Sequence, residues 1–313
     1  MGTKLELFHL NDQQAASNSV LQNMVNTSAI LQALRNQEVG EDISLFIAAG
    51  DTYQPGFLQD ASRSLYGARS VGEMQVQNEL GVDAIAVGNH EFDSYVNTKE
   101  ECKSIDLHRA FYSNSKINLI ENCSQHIIGE HTLVIMINTS IYEKHDDPCY
   151  KMKKILQEDS QGKIGADEIT NQLDIVLHIL KTNLGEINNI IFVGHHPIVS
   201  CRAEKVKDKA KAKAKSNKYY LDGLHDFFIA LEEIIKEKNV YYLTSDTHCY
   251  QHIDIFPTHN DTYKIEQHIV GTGGASLDKC SNTVSECSKI KLLEIDKFMK
   301  LIKTHSDVFG YLS

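Results

Sequence analysis

The chain has no apolar run long enough to cross a membrane or act as a signal peptide, and from Met1-Gly2-Thr3-Lys4 it moves directly into a strand-like segment. Position 6 is Glu6 rather than Ser or Thr, which disfavours lipidation at Gly2. Positive charge is in deficit. The chain has 31 Lys and Arg against 42 Asp and Glu, and its net charge of −11 speaks against a general nucleic-acid or anionic-membrane binder. A cysteine framework is missing too. Cysteines at 102, 123, 149, 201, 249, 280 and 287 are odd in number and never spaced as CxxC, so reduced thiols and a cytoplasmic location are expected. No internal repeat or linker-like stretch interrupts the sequence, and 42% hydrophobic residues suffice for a core. One domain over residues 1–313 is the expectation.

What is present is an alternation of strand and helix patterns. Lys4–Leu10, Ser44–Ala49 and Asp83–Val87 read as buried strands, separated by helical patterns at Ser19–Arg35 and Leu65–Leu80. This order implies βαβ units with a parallel component, in which ligands gather beyond the carboxyl ends of the strands. A strand-rich stretch from Phe111 to Asn138 is followed by a helix at Ala166–Leu184 and a strand at Asn189–Val193. A helix at Leu221–Lys238 and a strand at Val240–Thr244 come next, and Tyr263–Val270 and Lys289–Ile295 read as antiparallel strands covering the sheet. Within residues 202–218, lysines at 205, 207, 209, 211, 213 and 215 alternate mostly with alanine. Their mutual repulsion predicts a surface loop, and the sharper alternative is a cationic flap steering anions toward His195.

Five short segments place donor side chains just after predicted strands. They are Asn11-Asp12-Gln13-Gln14, Gly50-Asp51, Gly88-Asn89-His90-Glu91, Gly194-His195-His196-Pro197 and Ser245-Asp246-Thr247-His248. Each is weak alone, but the ordered set is specific. It offers nitrogen and oxygen donors enough for two divalent cations side by side, a common device for hydrolysing phosphate esters. His195 and His196 compete for one ligand position, and His9, inside the first strand, reads as a satisfied buried histidine.

The set resembles the calcineurin-like, binuclear metallophosphoesterase superfamily, whose pattern runs DxH, GD, GNHE/D, H and GHxH. The resemblance covers roughly residues 4–275. Phe8-His9-Leu10-Asn11-Asp12 and Gly88-Asn89-His90-Glu91-Phe92-Asp93 are similar to the 5′-nucleotidase branch. Thr247-His248-Cys249-Tyr250-Gln251 and Val270-Gly271-Thr272-Gly273-Gly274 are similar to purple-acid-phosphatase-type enzymes instead. The resemblance implies an α/β fold, a four-layer α-β-β-α sandwich with two mixed β-sheets. It implies two divalent metal ions, with manganese expected first and Fe, Zn, Mg or Ni as alternatives. Asp51 would bridge them. Asp12 and His248 would hold the first ion, with Gln14 a further ligand through its amide oxygen, and Asn89, His195 and Asp246 would hold the second. His90 matches the catalytic histidine and Asp93 the carboxylate that orients it. Asn89, His90, His196 and His252 would line the substrate pocket.

The implied activity is metal-dependent hydrolysis of a small phosphorylated substrate by in-line attack of a metal-bridging hydroxide. A phosphatase, a 5′-nucleotidase-like enzyme and a small-molecule phosphodiesterase all fit. Two departures bear on this: Gln14 stands where the family has His, and Asp246 replaces the first His of GHxH. Asp246 makes the donor set harder and richer in oxygen, which favours Mn²⁺, Mg²⁺ or Fe. The same departures motivate an alternative, a non-catalytic binding or scaffold protein, against which stand His90 and Asp93. Nucleotidases of the similar branch add a C-terminal nucleoside-holding domain. About 40 residues beyond the last motif leave no room for one, so nucleotide specificity is not implied.

Overall fold

The computed structural model describes residues 5–12, 25–26, 28–33, 43–52, 61, 64–65, 71–86, 88–90, 118–120, 123–128, 131–139, 172–183, 185, 187–200, 222–257, 263–271 and 302–304. Two sheets organise them. The first runs β1 (Leu5–His9), β2 (Ile43–Ala48), β3 (Ala84–Ala86) and β4 (Asn118–Ile120) in that order. The second comprises β5 (Cys123–Ile128), β6 (Thr132–Ile137), β7 (Asn189–Val193), β8 (Asn239–Thr244), β9 (Tyr250–Ile255), β10 (Ile265–Val270) and β11 (Ile302–Thr304). Its order across the sheet is β11-β9-β10-β8-β7-β6-β5. Among the described residues, helices α1 (Val71–Leu80), α2 (Gln172–Asn183) and α3 (Asp222–Ile235) accompany them.

Strict alternation of side chains sorts the strands into layers. Leu7, Leu45, Ile47, Ala84 and Ala86 of the first sheet meet Val134, Met136, Ile191, Val193, Tyr241 and Leu243 of the second, forming the hydrocarbon layer between them. The opposite face of the first sheet (Phe8, Phe46, Ala48, Ile85) packs on Leu31 and on Val76 and Leu80 of α1. The opposite face of the second takes α2 through Val176, Ile179 and Leu180, and α3 through Leu224, Phe227, Phe228, Leu231 and Ile235. This is the four-layer α-β-β-α sandwich, with each fully buried large side chain contributing about 1.5–3 kcal/mol. Phe228 anchors the outer layer, edge-on to Phe192 at 5.2 Å and to Phe227 at 5.3 Å, and tilted against Tyr242 at 5.3 Å.

Three details differ from the sequence reading. Both sheets were expected to be mixed, but the described strands of the first are all parallel. Parallel neighbours need crossover connections, and α1 supplies the one between β2 and β3. Strand β10 was expected to be an antiparallel strand; it is antiparallel to β9 but parallel to β8, because β9 intervenes as the return stroke. Strand β9 itself was not anticipated. Lys289–Ile295 and the lysine-rich segment 202–218 lie outside the described residues. No described helix is long and apolar enough to cross a membrane.

Glu73, in the first turn of α1, is 1% exposed, and neither carboxylate oxygen has a hydrogen-bond partner among the described residues. Burial pushes its pKa up to about 7. The folded state then holds a proton that the unfolded state releases, so this group's stabilising effect is complete below about pH 4.5 and is lost as pH rises through about 7. The loss at high pH is on the order of 3 kcal/mol. Glu73→Gln should flatten the decline of Tm between pH 5 and pH 8 measured by calorimetry. A variant tracking the wild-type slope would contradict it.

Candidate metal centre

The carboxyl ends of β1, β2, β7 and β8 converge on one rim, and the donors sit in the residues that immediately follow them. Asn11 fixes the first of these ends. Its Nδ2 donates to the Val270 carbonyl at 2.9 Å and lies 2.8 Å from His9 Nε2, while its Oδ1 accepts the Ala49 N–H. One side chain thus ties β1, β2 and β10 together beside Asp12. Asp12, Asp51 and Asp246 all take left-handed backbone conformations, with φ of 52°, 51° and 58°. Non-glycine residues adopt this region at a cost, and such strain collects at functional sites. Gly50 (φ 90°) and Gly271 make the approach possible: a Cβ at Gly50 would lie 2.5 Å from Gly88 N, and one at Gly271 2.8 Å from Asp12 Oδ2.

His195 is fully buried and oriented from behind. Its Nδ1–H donates to the Ala49 carbonyl at 2.8 Å, which fixes the tautomer because a carbonyl only accepts. Ser245 Oγ lies 2.7 Å from the same nitrogen and donates to the same carbonyl at 3.2 Å. The other nitrogen, Nε2, is directed at oxygen: Asn89 Oδ1 at 3.0 Å, Asp51 Oδ2 at 3.1 Å and Asp246 Oδ1 at 4.0 Å. Asp51 is central. Its Oδ1 accepts the backbone N–H of His90 at 2.9 Å, and its Oδ2 stands 3.6 Å from His90 Nε2. On the other flank, His248 Nε2 stands 3.8 Å from Asp12 Oδ1. Donor atoms of Asp12, Asp51 and His195 lie within 4.8 Å of one another, as do those of His195, His196 and Asp246.

The electrostatics are those of crowded carboxylates. Burial, reinforced by the neighbouring Asp51 and Asp246 and opposed by His195, pushes the Asp12 carboxyl well above the usual range. For Asp51 burial pushes the same way, but His195 and His90 prevail and hold it below the usual range. His195 is itself buried, which disfavours its charged form, yet Asp51, Asp12 and Asp246 raise its pKa well above the ordinary value. Asp12 is 0% exposed, and among the described residues neither of its carboxylate oxygens meets a donor in full hydrogen-bonding geometry. A buried carboxylate left this way is costly unless a cation compensates it.

The second sheet clamps the His195–His196 loop. Thr139 Oγ1 accepts the His196 N–H at 2.8 Å and lies 3.0 Å from its Nδ1. Tyr242, from the aromatic core, donates its hydroxyl to the His196 carbonyl, and Thr244 Oγ1 donates to that of His195 at 2.6 Å. Gln267 accepts the Ile198 N–H and donates to the Val199 carbonyl. Of the residues singled out in the sequence, Asp12, Asp51, Asn89, His90, His195, His196, Asp246 and His248 are gathered at this rim. His252 is elsewhere, stacked on His268 in a group with Glu266. Gln14 and Asp93 lie outside the described residues, as do Thr272, Gly273 and Gly274.

Sequence reading missed Ser245, Thr139, Tyr242 and Gln267, which act through hydrogen bonds between distant segments. For Ser245 there was a signal, since it occupies the glycine position of GHxH. His9 also differs from its expected satisfied state. Its Nε2 accepts from Asn11, but its buried Nδ1 has no hydrogen-bond partner, and burial together with His268 pushes its pKa down to about 3. Cys249 is disulfide-bonded, which corrects the expectation of reduced thiols and removes the cysteine argument for a cytoplasmic location. Linear spacing is blind to sulfur atoms paired by tertiary folding.

The sequence pattern of the calcineurin-like phosphoesterases matches residues 8–250, and the chain belongs to that family. It is the class that the two-sheet sandwich and the rim of donors define. Divalent metal ions are implied by membership, and the donor set is chemically suited to them. Among solved structures the chain is similar to a proposed 5′-nucleotidase from Staphylococcus aureus (13% identity, TM-score 0.51, covering 86% of this chain and 49% of that one). It is also similar to a purple acid phosphatase from yellow lupin, Lupinus luteus, seeds (14% identity, TM-score 0.53, covering 90% and 46%). The chain thus spans about half the length of these structures. No protein in the curated set matches it.

Proposed function

We propose that the chain is a divalent-metal-dependent phosphoric ester hydrolase acting on a small phosphorylated substrate. The observation that carries this reading is the buried Asp12 carboxylate, unsatisfied in hydrogen-bonding geometry among the described residues and set beside Asp51, His195 and His248 in a rim of strained aspartates. The residues fit a pair of cations. Asp51, whose Oδ2 faces His195 and whose Oδ1 accepts the His90 N–H, would stand between the two flanks. Asp12 and His248 would hold one ion, with Gln14, outside the described residues, as the further donor the family resemblance implies, and Asn89, His195 and Asp246 would hold the other. The Ala49 carbonyl holds the His195 proton on Nδ1 and so leaves the Nε2 lone pair for an ion, the arrangement typical of metal-ligating histidines. Two cations supply Lewis acidity and a water acidic enough to serve as nucleophile near neutral pH.

The protein's own part is to position and to move a proton. His90 is 23% exposed while its backbone N–H is bound to Asp51, so its ring stands at the mouth of the centre. It is the group placed to protonate a departing oxygen or to stabilise charge on phosphorus, and Asp93, outside the described residues, is the carboxylate that the resemblance implies would orient it. Asn89 and His196 are the adjoining polar groups for phosphate oxygens. The oxygen-rich donors favour Mn²⁺, Mg²⁺ or Fe over Zn²⁺. Chelation should abolish hydrolysis of p-nitrophenyl phosphate or its bis ester, and Mn²⁺ should restore it. Silence with both esters and every divalent metal would overturn the hydrolase reading in favour of a non-catalytic scaffold.

A further inference from the structure

A second set of donors lies on β9 and β10. Strand register pairs His252 with His268 and Asp254 with Glu266, and it sets Glu266 and His268 beside Tyr241 and Leu243 of β8. Neighbours in register share a face, so all four point into the layer between the sheets. That layer is hydrocarbon beneath β8, where Tyr241 and Leu243 meet the first sheet, and it becomes imidazole and carboxylate beneath β9 and β10. Edge strand β1 borders this region, since its His9 is close enough to His268 to feel its charge.

The geometry within the set is unlike an ordinary ion-pair network. The His252 and His268 rings stack with centroids 4.3 Å apart and 14° between planes. His252 Nε2 stands 3.9 Å from both Asp254 Oδ1 and Glu266 Oε2, beyond hydrogen-bonding range. Two donors on a common tetrahedral ion at ~2.1 Å stand ~3.4 Å apart, so a small contraction would make these spacings those of shared ligands. One donor atom each from His252, Glu266 and His268 lies within 4.8 Å of the others. Stacked rings carry their lone pairs in nearly parallel planes, so one must turn about Cβ–Cγ, a torsion with a broad profile. Lys264 competes for the same two carboxylates, with Nζ 2.7 Å from the other Glu266 oxygen, Oε1, and 3.6 Å from the same Asp254 Oδ1.

We propose that His252, Glu266 and His268 form a further cation site, separate from the Asp51 centre, that takes Zn²⁺ or a similar imidazole-preferring ion. Two imidazoles and one carboxylate suit such an ion better than the oxygen-rich rim does. The site would join β9 to β10 where the hydrocarbon layer gives out. His252 thereby has a role other than contact with substrate.

The test is a Zn²⁺ titration of the metal-free protein by calorimetry, with metal counted by mass spectrometry after dialysis. Wild type should hold three ions per chain, His268→Gln two and Glu266→Gln two, with hydrolysis by the Asp51 centre within about twofold of wild type in both variants. Asp51→Asn should keep one. Lys264→Met should tighten the retained ion by about tenfold, because Glu266 is released, whereas a merely structural cluster would show no gain. Unchanged counts in folded His268→Gln and Glu266→Gln proteins, or no ion left in Asp51→Asn, would overturn the site. Should His268→Gln fail to fold by circular dichroism, Glu266→Gln carries the same readout from a partly exposed side chain.

Discussion

Asp51→Asn should lower kcat/KM by about 10³-fold or more, equivalent to ~4 kcal/mol of transition-state stabilisation. Both Asp51 oxygens are engaged, one by the His90 backbone and the other by His195. An asparagine offers a single oxygen and turns an NH₂ toward one of these donors, so no orientation serves both sides. Two changes should accompany the loss. Metal bound at the rim should fall by two ions per chain, and His195 should lose its strongest cation-stabilising partner. A variant that kept its rim metals and most of its turnover would remove Asp51 from the centre of the scheme.

His90→Ala should behave differently. Turnover should drop by about 10²–10⁴-fold with metal content unchanged. The separation is possible because the bond from residue 90 to Asp51 is made by the backbone, which alanine retains. KM should change little and kcat should carry the loss, along with the limb of the pH–rate profile that reports the imidazole. Wild-type kcat in this variant would show that the ring is not used, and loss of both metals would show that it is a ligand instead.

The rim was legible in the sequence because strand ends and donors coincide there. Asn189–Val193 is a strand residue for residue, and its end delivers His195. Hydrophobic runs of four or five residues closed by Gly or Ser mark such ends, as at Gly50, Gly88, Gly194 and Ser245. What was hidden depends on contacts between distant segments. Strand β9 reads Tyr-Gln-His-Ile-Asp-Ile, and its apolar alternation is confined to Ile253 and Ile255 between polar residues, a pattern too short to single the strand out. The left-handed backbone at the three aspartates, the Ser245 hydroxyl behind His195 and the Cys249 disulfide have no one-dimensional signature either. Neither does the isolation of Glu73, which local helical patterning treats as one more first-turn acid.

Asp12, Asp51 and Asn89 come from the first sheet's connections, and His195, Asp246 and His248 from the second's. The hydrocarbon seam between the layers is therefore the hinge pin of the reaction chamber. A partly denatured chain could keep every strand paired within its own sheet and still pull the two halves of the donor shell out of reach by slipping along that seam. Ion capture would then report tertiary stacking rather than secondary structure, and should disappear before far-ultraviolet dichroism does as denaturant rises.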